Sequence, residues 1–206
     1  VTTPTDDDHL GLTDVSLEVF GGEIVGVAAV SGNGEKELAE TIVNPTKITA
    51  GSMHVGDAEL TGASTLEVFG EGVAYTPEDR IQEGILNDGS LIENVLLGHQ
   101  AEERFLKRRM FTDWAAVRQA TEQTIADYNV FTPGPEQSIR RLSGGNIQKT
   151  IMGRAFVSNP RLLVTHNPTS GLDISTVEFI FERLVRTRET GGAILWINED
   201  LDELMI

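Results

Sequence analysis

Eight residues, Leu142-Ser143-Gly144-Gly145-Asn146-Ile147-Gln148-Lys149, combine a hydroxyl with two adjacent glycines. Glycines let backbone N–H groups approach an anion with no Cβ in the way, and the Ser143 hydroxyl adds a further donor. The run 146–157 that follows has helical character, which places the loop at a helix N-terminus, where the dipole favours negative charge. The chemistry that fits is recognition of a phosphate. Ser-Gly-Gly is also an ordinary turn before a helix, and these residues taken alone leave both readings open.

A second candidate phosphate loop, Ser31-Gly32-Asn33-Gly34, follows the apolar lead-in Gly22-Glu23-Ile24-Val25-Gly26-Val27. Three further segments stand in order along the chain: Thr76-Pro77-Glu78-Asp79-Arg80, the run Arg161 to Asp173 (RLLVTHNPTSGLD), and Ile194 to Leu204. In this order the segments resemble the Walker A loop, Q-loop, signature loop, Walker B strand with D-loop, and H-loop of ATP-binding-cassette (ABC) ATPases. The Pro-Glu-Asp-Arg and Ser-Gly-Gly-Asn-x-Gln-Lys versions look most like the second cassette of tandem importers for simple sugars and nucleosides. The resemblance runs through almost the whole chain. It implies an α/β P-loop NTPase fold with a mainly parallel sheet core, a small antiparallel β subdomain and an inserted α-helical subdomain.

The Walker positions depart from that pattern. A working loop reads G-x-x-x-x-G-K-[ST], with the lysine on the β/γ-phosphate oxygens and the hydroxyl on Mg²⁺. Aligned on Gly34, the first glycine is Ala29, the lysine is Glu35 and the hydroxyl position is Lys36, followed by Glu37. A frame that makes Lys36 the lysine puts Glu35 and Val30 at the two glycines, a worse fit. Successive helical residues point about 100° apart, so Lys36 does not simply reach over. A carboxylate beside triphosphate oxygens replaces attraction with repulsion. A bare strand-to-helix turn and a weak nucleotide contact are both open readings of Ser31–Gly34.

The other stations agree. The magnesium-binding aspartate position is His166, and neutral imidazole lacks the hard anionic oxygen that Mg²⁺ prefers. The catalytic glutamate position is Asn167, which can hydrogen-bond a water but cannot take its proton. Glu199 holds the H-loop histidine position and Glu78 the Q-loop glutamine position. A lone histidine such as His166 is more often a hydrogen-bonded interior residue than a ligand, so no metal site is expected.

Cassettes pair head-to-tail, with each ATP between one partner's Walker motifs and the other's signature. The resemblance therefore implies that Ser143, Gly144 and Gly145, with Asn146 and Gln148 as weaker candidates, contact ATP held by a partner cassette. Asp173 would be the D-loop aspartate reaching across the same interface, or simply the cap of the helix after it. The implied cofactors are ATP and Mg²⁺ in the assembled dimer, with weak or no Mg-ATP binding by the isolated domain. The implied partners are a second cassette upstream in the same polypeptide, a transmembrane permease docked near Glu78–Ile85, and indirectly a solute-binding protein. The implied location is the cytoplasmic face of the plasma membrane. The rival readings are a fully active ABC ATPase with unusual residues and a non-transport ABC protein.

Composition sets the outer bounds. At 206 residues the chain suits one nucleotide-binding domain, and its end inside a helix marks it as an expected fragment. A formal charge of −16 argues against nucleic-acid binding, which draws affinity from Lys and Arg. Scarce lysine among abundant acids suggests a source adapted to high salt. There are no cysteines, which excludes disulfides, and no run of about eighteen apolar residues to span a bilayer.

The elements that must position these loops follow from periodicity. Alternation over Val15–Val19 predicts a half-exposed strand, and the apolar run 24–30 a buried one. A helix is expected over 35–43, short strands over 52–55 and 58–60, and a buried strand over 72–75. Helices at 92–98 and 112–128 fall in the inserted subdomain, 91–140, separated by an exposed charged connection, 102–109. From 142 to 206, the part carrying signature, Walker B and H-loop, helices and strands alternate: strands at 161–165 and 193–197, helices at 174–190 and from Leu201 onward.

Overall fold

The computed structural model describes residues 1–5 and 10–205. Its regular elements run β1 (Ile24–Ala28), α1 (Glu35–Val43), β2 (His54–Val55), β3 (Ala58–Glu59), α2 (Thr65–Gly70), β4 (Val73–Thr76) and α3 (Leu91–Leu96). They continue with β5 (Leu106–Lys107), β6 (Phe111–Thr112), α4 (Trp114–Asp127), α5 (Gly144–Phe156), β7 (Leu162–His166), α6 (Ile174–Glu189), β8 (Ala193–Asn198) and α7 (Leu201–Leu204). The chain divides into two compact units.

The first unit takes the chain up to Tyr75, Pro160–Asn167 and the segment from Leu184 onward. Its sheet has the order β1-β8-β7-β4, and β8 pairs in parallel with both β1 and β7. Every residue of β8 is buried, as a central strand covered on both faces requires, and Ile194, Leu195 and Ile197 are 0% exposed. Each such side chain stabilises the fold by about 1.5–3 kcal/mol relative to exposure. Leu195 and Ile197 pack with Val164, Ala39, Val68 and Val73 into one core under α1 and the small β2–β3 antiparallel pair. The register sets Ile197 beside His166 and Ile194 beside Leu163, so β7 and β8 end together at Asn167 and Glu199.

Two local expectations change here. The alternating stretch Val15–Val19 forms no named strand; among the described residues only Val15 bonds backbone to backbone, with Val1, because alternation describes a pleat but does not by itself supply a paired neighbour. The helix α2 was not foreseen from periodicity, being only six residues long. Its sequence signal is the capping box of Ser64 and Glu67, in which each side chain meets the other residue's backbone N–H.

The second unit comprises Thr76–Asn159 and Pro168–Arg183. It packs α3, α4 and α5 together around Leu96, Phe105 and Val117, with a separate cluster of Ile85, Ile139, Ile147 and Ile151. Ser90 and Glu93 form the capping box of α3, and Asp113 caps α4 by accepting from the N–H groups of Ala115 and Ala116. The charged stretch 102–109, expected as a plain connection, instead forms a 3-10 turn (Glu103–Phe105) and the antiparallel hairpin β5–β6. Phe105 anchors that hairpin in the core, a tertiary event invisible in a stretch of mixed charge.

Candidate functional site

In the first unit, the loop between β1 and α1 turns on Gly34, whose φ of 102° is open to glycine at little cost. The result is a nest of backbone N–H groups at the start of α1, the geometry that cradles phosphate. The Glu35 carboxylate folds back into this nest. One oxygen accepts from Gly32 N–H at 2.7 Å, and the other accepts from Asn33 N–H at 2.9 Å. Burial pushes the Glu35 carboxyl up, but the N–H groups of Gly32, Glu35 and Asn33 and the nearby His166 outweigh it and hold it below its ordinary value. Charged Glu35 thus serves its own loop as the anion.

Lys36 does not compensate. Its Nζ lies 3.6 Å from Glu40 Oε1, an i,i+4 pair along the outside of α1. His166, at the end of β7, is 1% exposed. Asn167 adopts φ 44°, a left-handed conformation that asparagine tolerates, and its Oδ1 accepts from the Glu199 N–H at 3.0 Å. Asn167 therefore clamps the ends of β7 and β8, so Glu35 fills its own cradle while Asn167 and the Glu199 backbone form a strand clamp. A surface hollow lined by Glu199, Asp200, Leu201 and Asp202 adds three carboxylates beside the clamp. These donors do not fit a Mg²⁺–triphosphate: the cradle already holds an anion, and His166 and Asn167 at the end of β7 offer imidazole and amide in place of the hard carboxylate oxygens that Mg²⁺ prefers.

The second unit holds the other loop. Ser143 caps α5: its Oγ accepts from Asn146 Nδ2 at 2.8 Å and from Asn146 N–H at 3.4 Å. With both lone pairs so used, its hydroxyl hydrogen is the group left to donate outward. Gly144 and Gly145 carry the first N–H groups of α5, which have no acceptor within a helix. Asn146 is held in turn by the Phe131 N–H, which donates to its Oδ1 at 2.7 Å. Gln148 departs from expectation, because two residues along a helix rotates it to the inner face, where it is 1% exposed. Its side chain is a packing residue of this unit and does not line the loop.

Neighbours fix the loop from behind. A Cβ on Gly145 would lie 3.0 Å from Thr176 Oγ1 and 3.4 Å from Asp173 Oδ2. Asp173 caps α6, its carboxylate accepting from Ser175 Oγ, Thr176 Oγ1 and Thr176 N–H, and these bonds pull its pKa down to about 2. The capping reading of Asp173 is thus realised within the chain. Glu78 is exposed at the end of β4. Two residues on, Arg80 donates from Nη1 to the Ser170 carbonyl at 2.8 Å and lays its guanidinium beside Gly144 and Gly171. Arg80 joins the segment after β4, the loop before α5 and the turn before α6. Residue type and spacing assign Arg80 no part; an arginine in an acid-rich chain is the available signal.

A parallel α/β core, a nest between β1 and α1, and a serine-glycine helix start ahead of β7 define an ATP-binding-cassette domain. The profile of the ABC transporter family matches residues 12–170, and the chain belongs to that family. It is 34% identical over 196 residues to the nucleoside import ATP-binding protein NupA of Lactococcus lactis, covering 95% of this chain and 38% of that protein. It is 36% identical over 204 residues to the glucose import ATP-binding protein TsgD13 of Haloferax volcanii, covering 98% of this chain and 37% of the relative. The chain therefore spans well under half the length of these relatives. The dimeric cassette MJ0796 superposes with a TM-score of 0.80 at 20% identity, covering 98% of this chain and 87% of that one. This likeness establishes the fold.

Proposed function

We propose that this chain is the second cassette of an ABC importer for sugars or nucleosides, serving as the signature-donating half of its ATPase. The observation that carries the reading is the Glu35 carboxylate seated on the N–H groups of Gly32 and Asn33, where a working loop would hold phosphate. An ATP phosphate entering that nest must displace a charged, hydrogen-bonded carboxylate and then lie against it. Lys36, paired with Glu40, offers no substitute cation, and Asn167 can take no proton from water. Mg-ATP binding at this domain's own Walker site is weak or absent.

The signature loop has the opposite character. In a head-to-tail pair of cassettes, Ser143 Oγ–H and the N–H groups of Gly144 and Gly145 donate to the γ-phosphate of ATP held by the upstream cassette. These donors are fixed before reaction by Asn146, Arg80 and the Asp173–Thr176 pair, and preorganised donors are what a transferring phosphoryl group requires. Asp173, besides capping α6, reaches the same interface. Closure on ATP passes to a transmembrane permease docked near residues 78–85, supplied by a solute-binding protein, at the cytoplasmic face of the membrane. The likeness to nucleoside and glucose import proteins supports the substrate class.

The test is a titration of the isolated chain with Mg-ATP, followed by product release. No appreciable turnover is expected, and robust Mg²⁺-dependent hydrolysis by this chain alone overturns the proposal. The excess of acid over base further supports a high-salt setting, for which the expected result is a melting temperature that climbs from low to multimolar NaCl.

A further inference from the structure

The hairpin β5–β6 is out of keeping with the rest of the chain. Between Arg104 and Phe111 stand four of its sixteen Lys and Arg residues and none of its 32 acids. The tip is also apolar and uncovered: Met110 is 77% exposed, Phe111 63%, and Trp114, the first residue of α4, 53%. A cationic tip bearing methionine and two aromatic rings is the reverse of the acidic surface that keeps this chain soluble.

The tip is held on a rigid stem. Phe105 is buried in the helical core, and the Asp113 N–H donates to its carbonyl at 2.7 Å. Arg104 stacks on the Phe105 ring and donates to the Val157 carbonyl at 2.8 Å and to Ser158 Oγ at 2.7 Å. Glu102 accepts from Ser158 Oγ and from Arg104, tying the base of the hairpin to the end of α5. Arg108 and Arg109 occupy the turn with φ of 53° and 58°, a left-handed pair that non-glycine residues adopt at a cost. Arg108 carries no ion pair among the described residues, and the pair of Arg109 with Glu103 lies wholly in solvent. Lys107 likewise pairs with Asp113 at 3.0 Å on the surface; exposed pairs of this kind exchange partners at little cost, so the cations are open to another anion beside the apolar side chains.

We propose that this hairpin is a membrane-surface contact that takes an anionic lipid headgroup layer. Lys107, Arg108 and Arg109 meet the headgroup phosphates, while Met110, Phe111 and Trp114 enter the interface between headgroup and acyl chain. Arginine and lysine keep their charge at headgroup level while their stems lie on apolar surface, and Trp favours the same depth. Each cation brought to an anionic surface strengthens binding by about fivefold. Glu103 and Asp113, paired with Arg109 and Lys107, offset part of this charge locally, while repulsion from acids beyond about 8–10 Å is screened at physiological salt.

The chain is floated with vesicles of phosphatidylcholine alone or of phosphatidylcholine and phosphatidylglycerol in equal parts. It is expected to rise with the mixed vesicles only, and less so as salt increases. Trp196, the other tryptophan, is buried, so a blue shift of emission on the mixed vesicles reports Trp114. The double variant R108E/R109E should reduce partitioning by roughly twentyfold or more, and M110S/F111S should remove the blue shift; both change exposed side chains only. No flotation with either vesicle, equal flotation with both, or flotation that neither variant alters overturns the proposal. Variants that leave flotation unchanged but lose copurification with the permease in detergent overturn it in favour of an acidic protein partner.

Discussion

The two glycine loops start from similar materials and finish as opposites. Each sets a serine and two glycines at the start of a helix, Ser31-Gly32-Asn33-Gly34 before α1 and Ser143-Gly144-Gly145 before α5. In the first, the next residue along is an acid, and its carboxylate closes the nest from inside. In the second, the corresponding polar residue is Asn146, which bonds to the capping serine and leaves the N–H groups of the glycines facing outward. A helix start is therefore an anion site only if the chain does not supply the anion itself. One side chain decides between them.

That contrast can be broken most decisively at Ser143. In the assembled transporter, Ser143→Arg should lower ATP hydrolysis by about a hundredfold or more, the scale of losing an oxyanion donor, while Glu35→Ala changes it by less than about twofold. The reverse ranking would show that the first loop carries the reaction. In the isolated chain the effect of Glu35→Ala is expected to appear as binding: nucleotide affinity should rise by about tenfold when the repelling carboxylate leaves its nest, measured by titration. An unchanged affinity would mean that Glu35 is not the group excluding phosphate.

Smaller effects sharpen the rigidity of the second loop. Gly145→Ala places a Cβ 3.0 Å from Thr176 Oγ1 and should destabilise the chain by about 1–3 kcal/mol in denaturant melts. Equal stability would indicate a loop with room to move. The smallest change is expected at Glu102. Burial pushes its carboxyl up, yet hydrogen bonds from His99 and Ser158 and the charges of His99 and Arg104 bring it down from 4.5 to about 2. A depressed carboxyl stabilises the fold above its unfolded value, and that contribution fades as pH falls from 4.5 toward 2. Glu102→Gln should cost about 1 kcal/mol at neutral pH, after allowance for solvent screening, and flatten this acid limb in pH-dependent melts.

Several features were legible without coordinates. The helix over 35–43 and the strand pattern of 193–197 follow from period and apolar content, and α1 and β8 occupy nearly those residues. The residue types at Glu35, His166, Asn167 and Glu199, on which the proposed loss of Walker chemistry rests, are legible in the sequence. The hairpin β5–β6 was not visible, because a mixed-charge stretch carries no period and only the burial of Phe105 organises it. The inward turn of Gln148 was likewise hidden by its place beside Asn146 in a polar run.

The sequence by itself determined the alternation of strands and helices, the order of the glycine-rich loops and the residue types at Glu35, His166, Asn167 and Glu199. These depend on residue type and spacing, which local chemistry reads directly. Only the tertiary structure decided where the altered groups went: Glu35 into its own nest, Asn167 onto the Glu199 backbone, and Arg80 against Gly144 and the Ser170 carbonyl. Arg80 and Ser170 are ninety positions apart, and Asn167 and Glu199 thirty-two. Such pairs form because packed elements bring distant donors and acceptors to within 3 Å, and buried polar groups must then take the partners they find.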